Sequence, residues 1–230
     1  FKDFTRIAQE NVDKSRFTMK LYRFISKYIS YLFIYLKISP NQVTIFHNIM
    51  EFFALFLFLS GQYKLYYLAI ILLILGGILD NVDGEIARFT KNTSLKGEYL
   101  DLIGHRIIHP LFFLFLSIGI YNTNSNYYYL IYGAIAAVGY TISEIATNVY
   151  KQILFDKNQS KQMGLIPKKK HKLFSPRWWE YTLFCFDHIK LLLAILLYFN
   201  EPHLLLIIYA PLFFIRAIMA VLIKYRLFIN

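Results

Sequence analysis

One cysteine, Cys185, stands among 230 residues. A disulfide framework and a cysteine-based zinc site are both excluded. Glycine and proline are sparse, at 10 and 6 residues, while 57% of the chain is hydrophobic, so it is not a disordered polymer. Charge is scarce too: 17% of residues are Asp, Glu, Lys or Arg, against about 25% in a soluble domain. An ordinary cytosolic enzyme does not fit. What fills the chain instead is apolar and aromatic, with 22 Phe and 19 Tyr. The formal net charge of +11 suits either a nucleic-acid binder or a membrane protein with basic cytoplasmic ends. The placement of the charges decides between them.

A span needs about 20 mostly apolar residues. Six stretches supply them, at 42–60, 65–88, 98–121, 126–150, 180–199 and 203–223. Residues 1–40 hold eight Lys and Arg, the 88–96 connection three, 151–179 eight, and the tail two. The connections on the other side hold one, Lys64. This is the positive-inside pattern. It predicts an all-α integral membrane protein of six transmembrane helices with both termini cytoplasmic. The basic excess is thereby topological, and no nucleic-acid fold signature accompanies it.

Residues 1–17 are polar and show no cleaved secretory signal. Residues 18–37 mix Leu, Ile, Phe and Tyr with Lys20, Arg23, Lys27 and Lys37. That pattern predicts an amphipathic helix along the cytoplasmic interface, its cations reaching anionic lipid. The basic run Lys168–Lys172, followed by Trp178-Trp179, predicts a second interfacial element over 168–179. The expected organisation is a cytoplasmic N-terminus with its interfacial helix over 1–40, then a six-helix membrane domain over 41–230.

Ionisable groups inside spans cost about 2.5–3.5 kcal/mol each at the centre and tend to mark function. The densest set flanks the connection between the second and third stretches. Asp80, Asp83, Gly84 and Ala87 fall at i, i+3, i+4 and i+7, one stripe of a helix. Gly97, Asp101 and His105 fall at i, i+4 and i+8, again one stripe. The two helices run in opposite directions, so three carboxylates and an imidazole come to similar depths and face one another. Clustered carboxylates repel, and a divalent cation with oxygen ligands removes the conflict. Gly84, Ala87 and Gly97 leave room beside the backbone for a flat or phosphorylated ligand. Plain helix packing is the competing reading of these small residues.

The string Asp80-x2-Asp83-Gly84-x2-Ala87-Arg88-x8-Gly97-x3-Asp101-x3-His105 resembles the CDP-alcohol phosphotransferase signature, D-x2-D-G-x2-A-R-x8-G-x3-D-x3-D. Seven of its eight fixed positions match. Pro40-Asn41-Gln42-Val43-Thr44 is similar to a P-N-x-x-T element of the family, and competes with a plain helix start capped by Asn or Thr. The resemblance implies an integral membrane enzyme that moves a substituted phosphoryl group from a CDP-linked donor to an alcohol, releasing CMP. At least one substrate would be a lipid, in phospholipid or related glycolipid synthesis, and a homodimer is common. It implies that Asp80, Asp83 and Asp101 hold Mg²⁺ or Mn²⁺. Gly84, Ala87, Arg88 and Gly97 would contact the CDP part, Arg88 on phosphate. Asn41 and Thr44 would approach the cytidine.

The departure is His105, where the family has its fourth aspartate. A neutral imidazole takes a proton near neutral pH. Three roles stay open: general base in a variant enzyme, ligand while another group does base work, or a mark of an inactive nucleotide-binding relative. His109, one turn on, shares the role or is hydrogen-bonded within the bundle. Glu144 and Arg216 are candidates for an acceptor pocket and equally for a structural ion pair. A transporter is the reading from another class, though neither inverted halves nor paired broken helices are evident.

Overall fold

The computed structural model describes residues 2–9, 17–162 and 183–229, and they form an all-helical bundle. The helices are α1 (Lys2–Ala8), α2 (Phe17–Tyr35), α3 (Pro40–Phe58), α4 (Tyr63–Thr90), α5 (Leu95–Asn124), α6 (Tyr128–Gln162), α7 (Phe186–Tyr198) and α8 (His203–Ile229). Each apolar stretch read from the sequence is represented by a helix, α3 to α8. The interfacial element expected over 168–179, with the Lys168–Lys172 run, lies outside the described residues.

Four of these helices are long and apolar enough to cross a membrane: Tyr63–Thr90, Leu95–Asn124, Tyr128–Ile153 and His203–Arg226. Six were expected. At a rise of about 1.5 Å per residue, α3 spans about 28 Å, and it carries His47, Asn48 and Glu51 among its apolar residues. The described part of α7 has 13 residues, too few to span alone.

Local chemistry sets the helix ends. Ser39 caps α3 in a capping box with Gln42, and Pro40 occupies the first turn, where its missing N–H costs nothing. The Pro40–Thr44 element is therefore a helix start, but Ser39 supplies the cap, not Asn41 or Thr44. The chain turns from α3 to α4 through Gly61 at φ +70°, a left-handed conformation that suits glycine. At the other end, α4 closes on Lys91 at φ 53°, and α5 opens on Ser94, whose hydroxyl accepts the Gly97 N–H at 3.0 Å. The short turn at 91–94 holds α4 and α5 at the edge of the site.

α3 packs against α4 and α5, α6 against α5 and α8, and α7 against α4. The main core is aromatic and aliphatic: Phe58, Leu73, Phe112, Phe113, Leu116, Leu193 and Phe213 are essentially inaccessible. It fills the part of the bundle reached by α4 before Asp80 and by α5 after His105. A smaller cluster of Val43, Leu79, Val82 and Ile86 sits under α2.

α2 is turned inside out relative to a helix of a soluble protein. Its polar residues Thr18, Ser26 and Ser30 are fully buried, while Leu21, Phe24, Tyr28, Tyr31 and Leu32 are exposed. The outer face of α3 is likewise apolar, with Ile45, Phe46, Ile49, Phe53 and Phe56 exposed. Such faces are costly in water and favourable in hydrocarbon. Together with the four long apolar helices they make this a multi-pass membrane protein.

Candidate active site

α4 and α5 bring the signature residues together as antiparallel stripes. His105 Nε2 and Asp80 Oδ1 share a hydrogen bond of 3.2 Å. A carboxylate only accepts, so Nε2 donates and the ring lone pair falls on Nδ1. His105 Nε2 also stands 3.1 Å from Asp101 Oδ1, one helical turn back. The imidazole thus lies between two carboxylates. The third, Asp83, faces α3: its Oδ2 accepts the Thr44 hydroxyl at 2.5 Å and lies 3.4 Å from His47 Nε2.

A cavity of about 530 Å³ opens beside this cluster. Its walls are Asn41 and Thr44 from α3, Asp83, Gly84, Ala87 and Arg88 from α4, and Gly97 and Asp101 from α5. All six candidate nucleotide contacts therefore line one space. Gly97 permits the closeness of two walls: a Cβ there would stand 2.5 Å from Asn41 Oδ1. Gly84 lies under the Arg88 guanidinium, whose Nη1 would be 3.0 Å from a Cβ at that position. Arg88 is anchored from outside, its Nε donating to the Ala8 carbonyl at 2.6 Å. Thr44 is on the wall, but its hydroxyl is directed at Asp83.

A second cavity, about 220 Å³, lies on the other side of the cluster and reaches Asp80, His105, His109, Tyr140, Glu144, Asp187 and Lys190. His109 is held there, its Nδ1 2.6 Å from the Tyr140 hydroxyl and its ring stacked on Phe186 at 3.8 Å between centroids. Glu144 lines this cavity and pairs with Arg216 at 3.6 Å. Arg216 itself lines a different cavity, against Leu183 and Met219.

The donor set suits a divalent cation. Asp101 Oδ1 and both ring nitrogens of His47 are buried without a hydrogen bond. One ligand atom from each of His47, Asp80 and Asp101 lies within 4.8 Å of the others. Unpaired acceptors that converge are what a cation of the Mg²⁺ or Mn²⁺ type satisfies.

Beyond Asn41 and Thr44 in its first turns, α3 was not singled out from the sequence. His47 and Glu51 sit one turn apart within an apolar helix, the same signal that drew attention to α4 and α5. Both are buried. Glu51 pairs with Lys190 at 3.7 Å, and Lys190 pairs with Asp187 at 3.1 Å and donates to the Leu73 carbonyl at 3.0 Å.

No curated protein matches this chain. A family model does: CDP-alcohol phosphatidyltransferase, over residues 37–223. That range is most of the chain and contains both cavities' described walls. With the signature spacing and its convergent geometry both in place, the chain belongs to the CDP-alcohol phosphatidyltransferase family, which transfers phosphate-linked groups from CDP-alcohols.

Proposed function

We propose that this protein moves a substituted phosphoryl group from a CDP-linked donor to an alcohol acceptor and releases CMP. The observation that carries the reading is the cluster of Asp80, Asp101 and His105 standing between two cavities. The larger cavity, with Arg88, Gly84 and Asn41, suits the donor. The smaller one, reaching His105, suits the acceptor hydroxyl.

In this reading Asp80, Asp83 and Asp101 hold Mg²⁺ or Mn²⁺, which when bound neutralises the diphosphate and stabilises the CMP leaving group. Thr44 fixes Asp83 by its short hydrogen bond. Arg88 offers its terminal nitrogens to phosphate, with its Nε already committed to α1. Asn41 and Gly97 form the close wall against which the nucleotide lies. His105 takes the acceptor proton on Nδ1, and Asp80, bonded to Nε2, orients the ring and favours its charged form. The Glu144–Arg216 pair braces the acceptor side by linking α6 to α8.

The apolar outer faces of α3 and the basic distribution support six spans, with the termini and the site on the cytoplasmic side. The exposed apolar face of α2 supports an interfacial N-terminal helix. Membership of the family supports extending the proposal to a lipid as one substrate, a role in phospholipid or related glycolipid synthesis, and a homodimer. The test is release of labelled CMP from a panel of CDP-alcohols and acceptors in liposomes. Metal-dependent release that requires an acceptor supports the reading. Nucleotide binding without release under every pairing makes the protein a non-catalytic relative.

A further inference from the structure

We infer that His47 is a nitrogen ligand of the cation held by Asp80 and Asp101, so that the centre prefers Mn²⁺ over Mg²⁺. The inference rests on the metal-holding part of the proposed function and adds a residue outside the aspartate-bearing helices.

His47 lies on α3 and is fully buried. Neither of its ring nitrogens makes a hydrogen bond. Leaving a buried polar group unpaired costs about 1–3 kcal/mol, so such a histidine is expected to have a partner of another kind. His109 shows the usual solution, a 2.6 Å hydrogen bond with the Tyr140 hydroxyl. His47 instead points at the cluster, with Nε2 3.4 Å from Asp83 Oδ2 and its ring 6.4 Å from that of His105.

Geometry and chemistry agree on what fills the gap. Ligand atoms of His47, Asp80 and Asp101 lie within 4.8 Å of one another. Ligands about 2.1 Å from a common ion stand about 3 Å apart when adjacent and about 4.2 Å apart when opposite. A small closure brings all three onto one ion. A phosphate would meet two carboxylates there, and a water would leave their charge uncompensated. Mg²⁺ favours oxygen ligands and retained water, whereas an imidazole raises affinity for Mn²⁺ and the metals to its right.

Mn²⁺ titrated into the purified protein in nanodiscs, followed by pulsed electron paramagnetic resonance, tests this without any substrate. In wild type the bound Mn²⁺ couples to a ¹⁴N nucleus, and the coupling becomes ¹⁵N when only histidine is labelled. The coupling persists in His105→Ala and disappears in His47→Ala. Loss of the ligand weakens Mn²⁺ binding about tenfold or more, and His47→Asp shifts the Mn²⁺-to-Mg²⁺ preference toward Mg²⁺. Bound Mn²⁺ without histidine coupling in wild type overturns the inference and spares the metal reading. Coupling that vanishes in His105→Ala also overturns it, even if His47→Ala fails to fold. Absence of Mn²⁺ binding altogether defeats both.

Discussion

Asp83 and Glu85 leave α4 two residues apart, about 200° around the helix, and both are buried. Their surroundings differ in kind. Glu85 faces α1 and α2, where Ser26 and Gln9 donate to Oε1 at 2.8 Å and Ser30 to Oε2 at 2.7 Å. Neutral donors satisfy both oxygens, and the carboxylate ties the N-terminal helices to the bundle. Asp83 faces the cluster, where carboxylates and imidazoles outnumber donors and several atoms are left unpaired. A charge whose hydrogen bonds are complete holds structure together. A charge group whose bonds are incomplete is a receptor. Lys190 belongs with Glu85 in this respect, since Glu51, Asp187 and a carbonyl enclose its ammonium.

If the contrast is right, changes in the cluster strike turnover and changes at the satisfied charges strike stability. Asp80→Asn or Asp101→Asn should cut labelled CMP release by about 10⁴-fold, the several kcal/mol a cation contributes to transition-state charge. Wild-type rates in either would break the comparison. His105→Ala should lower release by about 10³-fold while CMP still binds, and His105→Asp should recover part of it. Full activity in His105→Ala removes the base assignment. Lys190→Met strands the buried Glu51 carboxylate and the partly buried Asp187 and should destabilise by about 3 kcal/mol in denaturant titrations, with Glu51→Gln in the same chain restoring part. An unchanged midpoint would show that Glu51 and Asp187 do not depend on the ammonium. Glu85→Ala takes the acceptor from the buried Ser26 and Ser30 hydroxyls, while Gln9 keeps the Arg23 carbonyl, and should cost about 2 kcal/mol, with turnover per folded molecule little altered. A large loss of turnover there would mean that α1, through Arg88, governs the donor cavity. Gly97→Ala pushes Asn41 away and should weaken CMP binding about fivefold, roughly 1 kcal/mol. Unaltered binding would place the nucleotide elsewhere.

Much of the site was legible because its residues lie on two consecutive helices joined by a short turn. Periodicity alone then sets which side chains share a face, and the antiparallel return sets their depth. Asp80 meeting His105 is a direct consequence. The middle of α3 was opaque for the opposite reason. His47 and Glu51 are isolated ionisable residues in an aromatic helix, and nothing local says that one meets Asp83 and the other Lys190, more than a hundred residues away in the second case. Thr44 was read as a nucleotide contact, and packing shows its hydroxyl directed at Asp83. Span number was less legible than helix number, because length and apolarity are averaged along a helix while exposure belongs to its faces.

The sequence by itself determined an apolar, all-helical chain and a stripe of acidic residues on each of two adjoining helices, since spacing along a helix is a local property. Only the tertiary structure decided which buried charges are paired and which are left wanting. Pairing depends on donors brought in from α1, α2, α3 and α7, and the packing of side chains across the bundle settles where each donor arrives.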